Sequence, residues 1–121
     1  MTTYLTGEDL LSLVDDLGVG PIRDVGLLES AAHRPATAVW GQEAYPGLEL
    51  KAAVLLESIV RNDPLVDGNM RLGWLSLVVF LGLNGVDLDA PDDEAYDVVV
   101  GVARGAVEPA DAASILARWQ G

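Results

Sequence analysis

The stretch Arg61-Asn62-Asp63-Pro64-Leu65-Val66-Asp67-Gly68-Asn69-Met70-Arg71 decides how the rest of this chain is read. It is a polar interruption between two apolar segments. Residues 48–60 carry Leu50, Ala53, Val54, Leu56 and Ile59 at helical spacing, and residues 72–83 are apolar almost all round, the mark of a buried helix. Two core helices are therefore expected to meet at one polar corner. The corner brings carboxylates, guanidiniums, amides and a glycine together in more residues than a plain connection needs. That surplus points to chemistry.

The local mechanics suit an anion. Asp67-Gly68-Asn69 can open the second helix, so that its free N–H groups and the positive end of its dipole face the loop. Gly68 permits close backbone approach. Arg71, in the first turn, is placed to fork onto phosphate oxygens, and Asp67 to hold Mg²⁺ between them. The plain alternative is a capped helix start: Asp67 or Asn69 caps the core helix, Arg71 pairs with Asp67 or Asp63, and nothing binds.

Outward from the loop, the pattern is helical. Thr6 with Asp9 makes a capping pair for a helix bearing Leu10, Leu13, Val14 and Leu17, with Gly18 as its stop and residues 18–21 as connector. Asp24 starts a short helix through Ala32 with Leu27, Leu28 and Ala31 inward, and Arg34-Pro35 ends it. Residues 36–47 lack a helical period and read as one long irregular segment. Pro91-Asp92 opens a helix whose apolar positions are Tyr96, Val99, Val100 and Ala103, stopped by Gly105, and Glu108-Pro109 opens a last one with Ile115, Leu116 and Trp119. Trp74, Phe80 and Trp119 are expected in the core, and Trp40 in the irregular segment is free to face a pocket or partner. His33 reads as a helix-end residue set against the dipole. The expectation is an all-α, six-helix single domain over residues 1–121.

Composition bounds the function. With 121 residues and 50% hydrophobic content, the chain has enough apolar material for one core. A formal charge of −12, with seven basic residues scattered singly, argues against direct nucleic-acid binding and favours basic partners. Asp87, Asp89, Asp92, Asp93, Glu94 and Asp97 cluster without an intervening cation, which reads as a solvated loop and helix start before it reads as a docking surface. The absence of cysteine and the lone His33 exclude thiolate sites and disfavour zinc. Residues 1–5 show no leader, and the run 72–83 is too short for a bilayer, so a cytoplasmic protein without a membrane span is expected.

The loop also resembles the active-site motif of the Fic/Doc family, H-P-F-x-D-G-N-K-R in the Doc (death-on-curing) toxin branch, through Pro64, Asp67, Gly68, Asn69 and Arg71. Flanking blocks recur in order: residues 24–31, Arg34-Pro35, Tyr45-Pro46, Lys51-Ala52-Ala53, Val79-Phe80-Leu81 and Asn84-Gly85, so the resemblance spans about residues 4–120. It implies a compact six-helix Fic/Doc fold with the motif loop between two central helices and residues 36–47 as a flap beside a nucleotide site. It also implies a protein kinase that uses ATP and Mg²⁺ to phosphorylate a threonine of elongation factor Tu and halt translation, within a type II toxin–antitoxin pair. The implied catalytic residues are Asp63, Asp67 and Arg71. The implied nucleotide site is Gly68, Asn69, Met70 and Arg71, with Asp67 for the metal.

Two departures weaken that chemistry. Asp63 stands where the family has its catalytic histidine, and Met70 where the Doc branch has lysine. An aspartic carboxyl, with an ordinary pKa of about 3.9 against about 6.5 for imidazole, is a poorer base at neutral pH. Together the changes shift the loop by up to about two charge units against a triphosphate. Mg-ATP binding is therefore expected to be weak or absent. The Fic-type alternative, AMP transfer to a protein hydroxyl, usually carries G-N-G-R-x-x-R, whereas this chain has Met70 and Trp74 at two of those positions. A third reading is a silent pseudoenzyme that only binds its antitoxin. The resemblance further implies that the antitoxin's C-terminal segment folds into a groove of helix faces, apart from the loop, so that Asp63 and Met70 leave that partner's binding intact.

Overall fold

The computed structural model describes residues 1–120 and is all-α apart from one small hairpin. Six helices follow one another: α1 (Gly7–Leu17), α2 (Val25–His33), α3 (Leu48–Asn62), α4 (Asn69–Leu83), α5 (Asp92–Ala103) and α6 (Pro109–Arg118). Their ends are written in the sequence. Thr6 and Asp9 close a reciprocal capping box at α1, Gly18 ends it in the left-handed conformation, and the Asp24 side chain accepts the Leu27 N–H to start α2.

The fold is arranged around α3. That helix packs against α2, α4, α5 and α6 and against a 3-10 turn at Arg34–Ala36, and it buries residues on almost every side, including Ala52, Ala53, Leu55, Leu56 and Ile59. The leucines and isoleucine among them each contribute roughly 1.5–3 kcal/mol when fully buried. Helix α4 lies closest to it. A Cβ at Gly73 would sit 2.8 Å from Val60 Cγ1 and 2.9 Å from Leu56 Cδ1, so only glycine allows this crossing. The two central helices are thereby locked together just beside the loop that joins them.

Helix α4 starts at Asn69, as expected of the Asp67-Gly68-Asn69 opening, and the polar residues of the loop supply its first turn. Three expectations change. The segment after the 3-10 turn contains a hairpin, β1 (Ala38–Val39) paired antiparallel with β2 (Gln42–Glu43) through a turn at Trp40-Gly41, where both residues have positive φ. On α5 the inward face is Ala95, Val98, Val99 and Val102, while Tyr96 points outward. Phe80 and Trp119 are in the core as expected, but Trp74 is only half-buried.

The chain ends are tied down by polar contacts. Asn84, at the end of α4, takes the Thr3 N–H at 2.7 Å and donates to Thr3 O and Phe80 O. The Asp89 N–H donates to Trp119 O at 2.6 Å, beside a bridge between Leu88 and Gln120. Among the described residues, no helix is long and apolar enough to cross a membrane.

Candidate active site

Between α3 and α4 the chain makes a tight loop whose two ends both carry positive φ: Asp63 at 51°, as the last cap of α3, and Gly68 at 92°, as the first cap of α4. Non-glycine residues reach this conformation at a cost, and asparagine and aspartate do so most readily. Leu65 anchors the loop from inside at 1% exposure. Asn69 turns its side chain back over it, accepting the Leu65 N–H and donating to the Leu65 carbonyl, each at 2.9 Å. Both main-chain polar groups of Leu65 are thus satisfied by one amide side chain.

The outer wall of the loop is a strap that sequence reading treated only as a connector and helix start. Gly20 N–H donates to Asp67 O, Val66 N–H to Pro21 O, and the N–H groups of Arg23 and Asp24 both donate to Pro64 O, at 2.7–3.1 Å. Ile22 and Leu65 form an antiparallel bridge. The Arg23 guanidinium adds two bonds of 2.8 Å, from Nε to Asp63 O and from Nη2 to Asn62 O. Val19 closes the wall, since a Cβ at Gly68 would lie 2.5 Å from Val19 Cβ. The glycines and proline of residues 18–21 were the visible signal for this strap. Nothing in the sequence marked Arg23.

This architecture leaves the start of α4 open. Gly68 has no side chain to cap it, the first helical bond is from Leu72 N–H to Gly68 O, and the N–H groups of Asn69, Met70 and Arg71 have no acceptor among the described residues. Asp67 and Asn69 therefore do not cap the helix, and Arg71 makes no ion pair among the described residues. The plain capped-helix alternative does not describe this loop. Three free donors and the positive end of the helix dipole lie at the same helix start as Arg71, and helix starts of this kind favour anions.

The site opens into a cleft of about 820 Å³ between α4 and α5. Asp63, Asp67, Gly68, Asn69, Met70 and Arg71 line one end of it, so all six residues assigned to the site from sequence share one cavity. The other end is apolar, with Val66, Trp74, Val78, Leu88, Tyr96 and Val99. This is the apolar surplus of α4: its Met70, Trp74 and Val78 stripe is left uncovered by the core. The cleft carries three carboxylates, Asp63, Asp67 and Asp92, against the single cation Arg71. Free N–H donors favour an anion at this end of the cleft, whereas the excess of carboxylates opposes one. Among the described residues no group of three acids or histidines has metal-site spacing.

A smaller cleft is lined by Asn62 together with Glu29, Ser30, His33, Arg34, Thr37 and Ser58. It connects the base of the hairpin to the end of α3. His33 sits at the end of α2, largely exposed, with Nε2 3.5 Å from Glu29 Oε2, and does not reach the motif loop's main cleft. Arg34 is held by Glu57 at 2.7 Å, Ser58 at 3.1 Å and Tyr45 at 3.3 Å. Burial alone would lower its pKa, but the hydrogen bonds to Tyr45 and Glu57 outweigh it and the net direction is upward.

The domain is all-helical, and the uncapped start of its central helix α4 opens, beside Arg71, on the cleft. The chain matches the Fic/DOC family over residues 4–81, and it is 45% identical over 108 residues to a protein named Toxin Doc from Mycolicibacterium smegmatis, covering 85% of this chain and 82% of that one. It belongs to the Fic/Doc family.

Proposed function

We propose that this chain is a Doc-type toxin whose loop is a nucleotide-dependent protein-kinase site, disabled or nearly so by Asp63 and Met70. The observation that carries the reading is the uncapped start of α4, with three unpartnered N–H groups beside the unpaired Arg71. In this reading those groups and Arg71 hold the phosphates of ATP, Asp67 holds Mg²⁺, and residue 63 faces the hydroxyl that is phosphorylated. The protein substrate is a threonine of elongation factor Tu. Asp63 accepts that proton less well than histidine, and its charge repels the incoming triphosphate. Restoring Asp63→His and Met70→Lys leaves Asp67 and Asp92 facing Arg71 and the new lysine, which removes the excess negative charge of the cleft.

The second part of the reading is a partner. The cleft between α4 and α5 has an apolar floor and an acidic rim, which suits a basic amphipathic segment folding on contact. We assign that role to the C-terminal segment of the antitoxin. The sequence had suggested a groove apart from the loop; in this cleft Val66 and Met70 belong to both.

Incubating the chain and its double reversion with elongation factor Tu and Mg-ATP, then weighing the factor, tests the function. A gain of about 80 Da is phosphoryl transfer, a gain of about 329 Da is AMP transfer, and no gain leaves a binding protein. The expected result is no gain with the chain itself and phosphoryl transfer with the reversion. AMP transfer, or no gain from either, overturns the kinase reading.

A further inference from the structure

Lys51 is the one charged side chain enclosed by the core among the described residues, at 2% exposure on α3. Removing an ammonium from water costs several kcal/mol, and a leucine or methionine would fill the same space without that cost. Its partners show where the charge acts. Nζ donates to the carbonyl of Tyr45 and lies 3.1 Å from Oε1 of Glu43, which is itself largely exposed. Both partners belong to the hairpin segment, and neither belongs to the core.

The hairpin needs such an anchor. It consists of two residue pairs, all of residues 38–44 are exposed, and Trp40 at its tip is 98% exposed. A ribbon this small does not hold itself in water. A second cation completes the grip: Arg34 hydrogen-bonds the Tyr45 hydroxyl and lies 5.3 Å from the centre of its ring. Tyr45 is thus held by its carbonyl from α3 and by its ring from the 3-10 turn. Thr37, at the other foot of the hairpin, shares the smaller cleft with Asn62, the neighbour of Asp63.

We propose that Lys51 is a positioning residue that fixes the pose of the hairpin beside the motif loop, and so the line along which a protein hydroxyl approaches residue 63. The second clause rests on the function proposed above; the first does not. Amide hydrogen exchange reads the first directly. Lys51→Met removes the charge and keeps the apolar stem, and it raises exchange in residues 38–45 by about tenfold while α3 and α4 stay within about twofold; Lys51→Arg restores part of the protection. Should Lys51→Met fail to fold, Glu43→Ala removes the exposed partner without touching the core and raises hairpin exchange by about threefold. Unchanged hairpin exchange in the variants, or equal loosening of α3, overturns the proposal. In the Asp63→His, Met70→Lys background, Lys51→Met raises KM for the protein substrate with Mg-ATP affinity unchanged. An unchanged KM there overturns the substrate clause. If the background protein transfers nothing to any protein, the functional reading fails, and the exchange result still decides the anchor.

Discussion

Arg23 and Asp63 are joined across the back of the motif loop: the guanidinium donates to the Asp63 carbonyl and, through its second nitrogen, to that of Asn62. These are among the last carbonyls of α3, which have no helical partner and carry the negative end of its dipole. The residue standing at the family's histidine position is thus held by its main chain, whatever its side chain. Substituting Asp63 leaves the grip in place.

Arg23→Ala should therefore loosen the loop without unfolding the domain. Both bonds are charge-assisted but solvent-exposed, so the expected cost is about 1–2 kcal/mol in urea denaturation. Amide exchange at Val66, bonded to Pro21, should quicken with it, whereas α6 should not respond. A stability change confined to α6 would contradict the clamp.

Asn69 supports the loop from inside. Asn69→Ala leaves the buried N–H and C=O of Leu65 without partners, at roughly 1–3 kcal/mol for each unsatisfied group. Asn69→Asp keeps the acceptor for the N–H but sets a carboxylate oxygen against the Leu65 carbonyl, so its cost in the same denaturation series should be at least that of alanine. A cost well below that of alanine would mean that the bond to the carbonyl contributes nothing.

Much of this was legible before the structure, and the parts that were not share a cause. The ends of α1 and α2, the all-helical class and the gathering of residues 63–71 follow from local capping and spacing, which act within a few residues. The strap of Val19 to Arg23, the outward turn of Tyr96 and the half-buried Trp74 depend on which helix lies opposite. Local pattern cannot supply that. The run 72–83, apolar almost all round, read as a buried helix, yet the Met70, Trp74 and Val78 stripe of α4 lines the cleft.

Gly68 is limited by both its own φ of 92° and the neighbouring Val19, so Gly68→Ala combines backbone strain with a clash. A cost of about 2–4 kcal/mol is expected. Adding Val19→Ala should recover the part due to the clash, and a double-mutant cycle measures it. Full additivity of the two changes would show that the strap does not press on the loop.

Because Met70 belongs to the apolar cleft as well as to the proposed phosphate site, Met70→Lys should weaken capture of the antitoxin segment. Placing an ammonium on the groove floor replaces an apolar contact and repels a basic peptide, and a loss of about tenfold or more, roughly 1.4 kcal/mol, is expected in a titration. Undiminished affinity would put the segment on another face.

In the function proposed above, the charge of residues 63 and 70 sets how strongly the loop holds phosphate. Calorimetric titration with Mg-ATP reads this. The double reversion Asp63→His, Met70→Lys should bind with micromolar affinity, about −8.2 kcal/mol, and the chain as it stands at least about a hundredfold more weakly. Equal affinities for the two proteins, or no binding by the reversion, would contradict it.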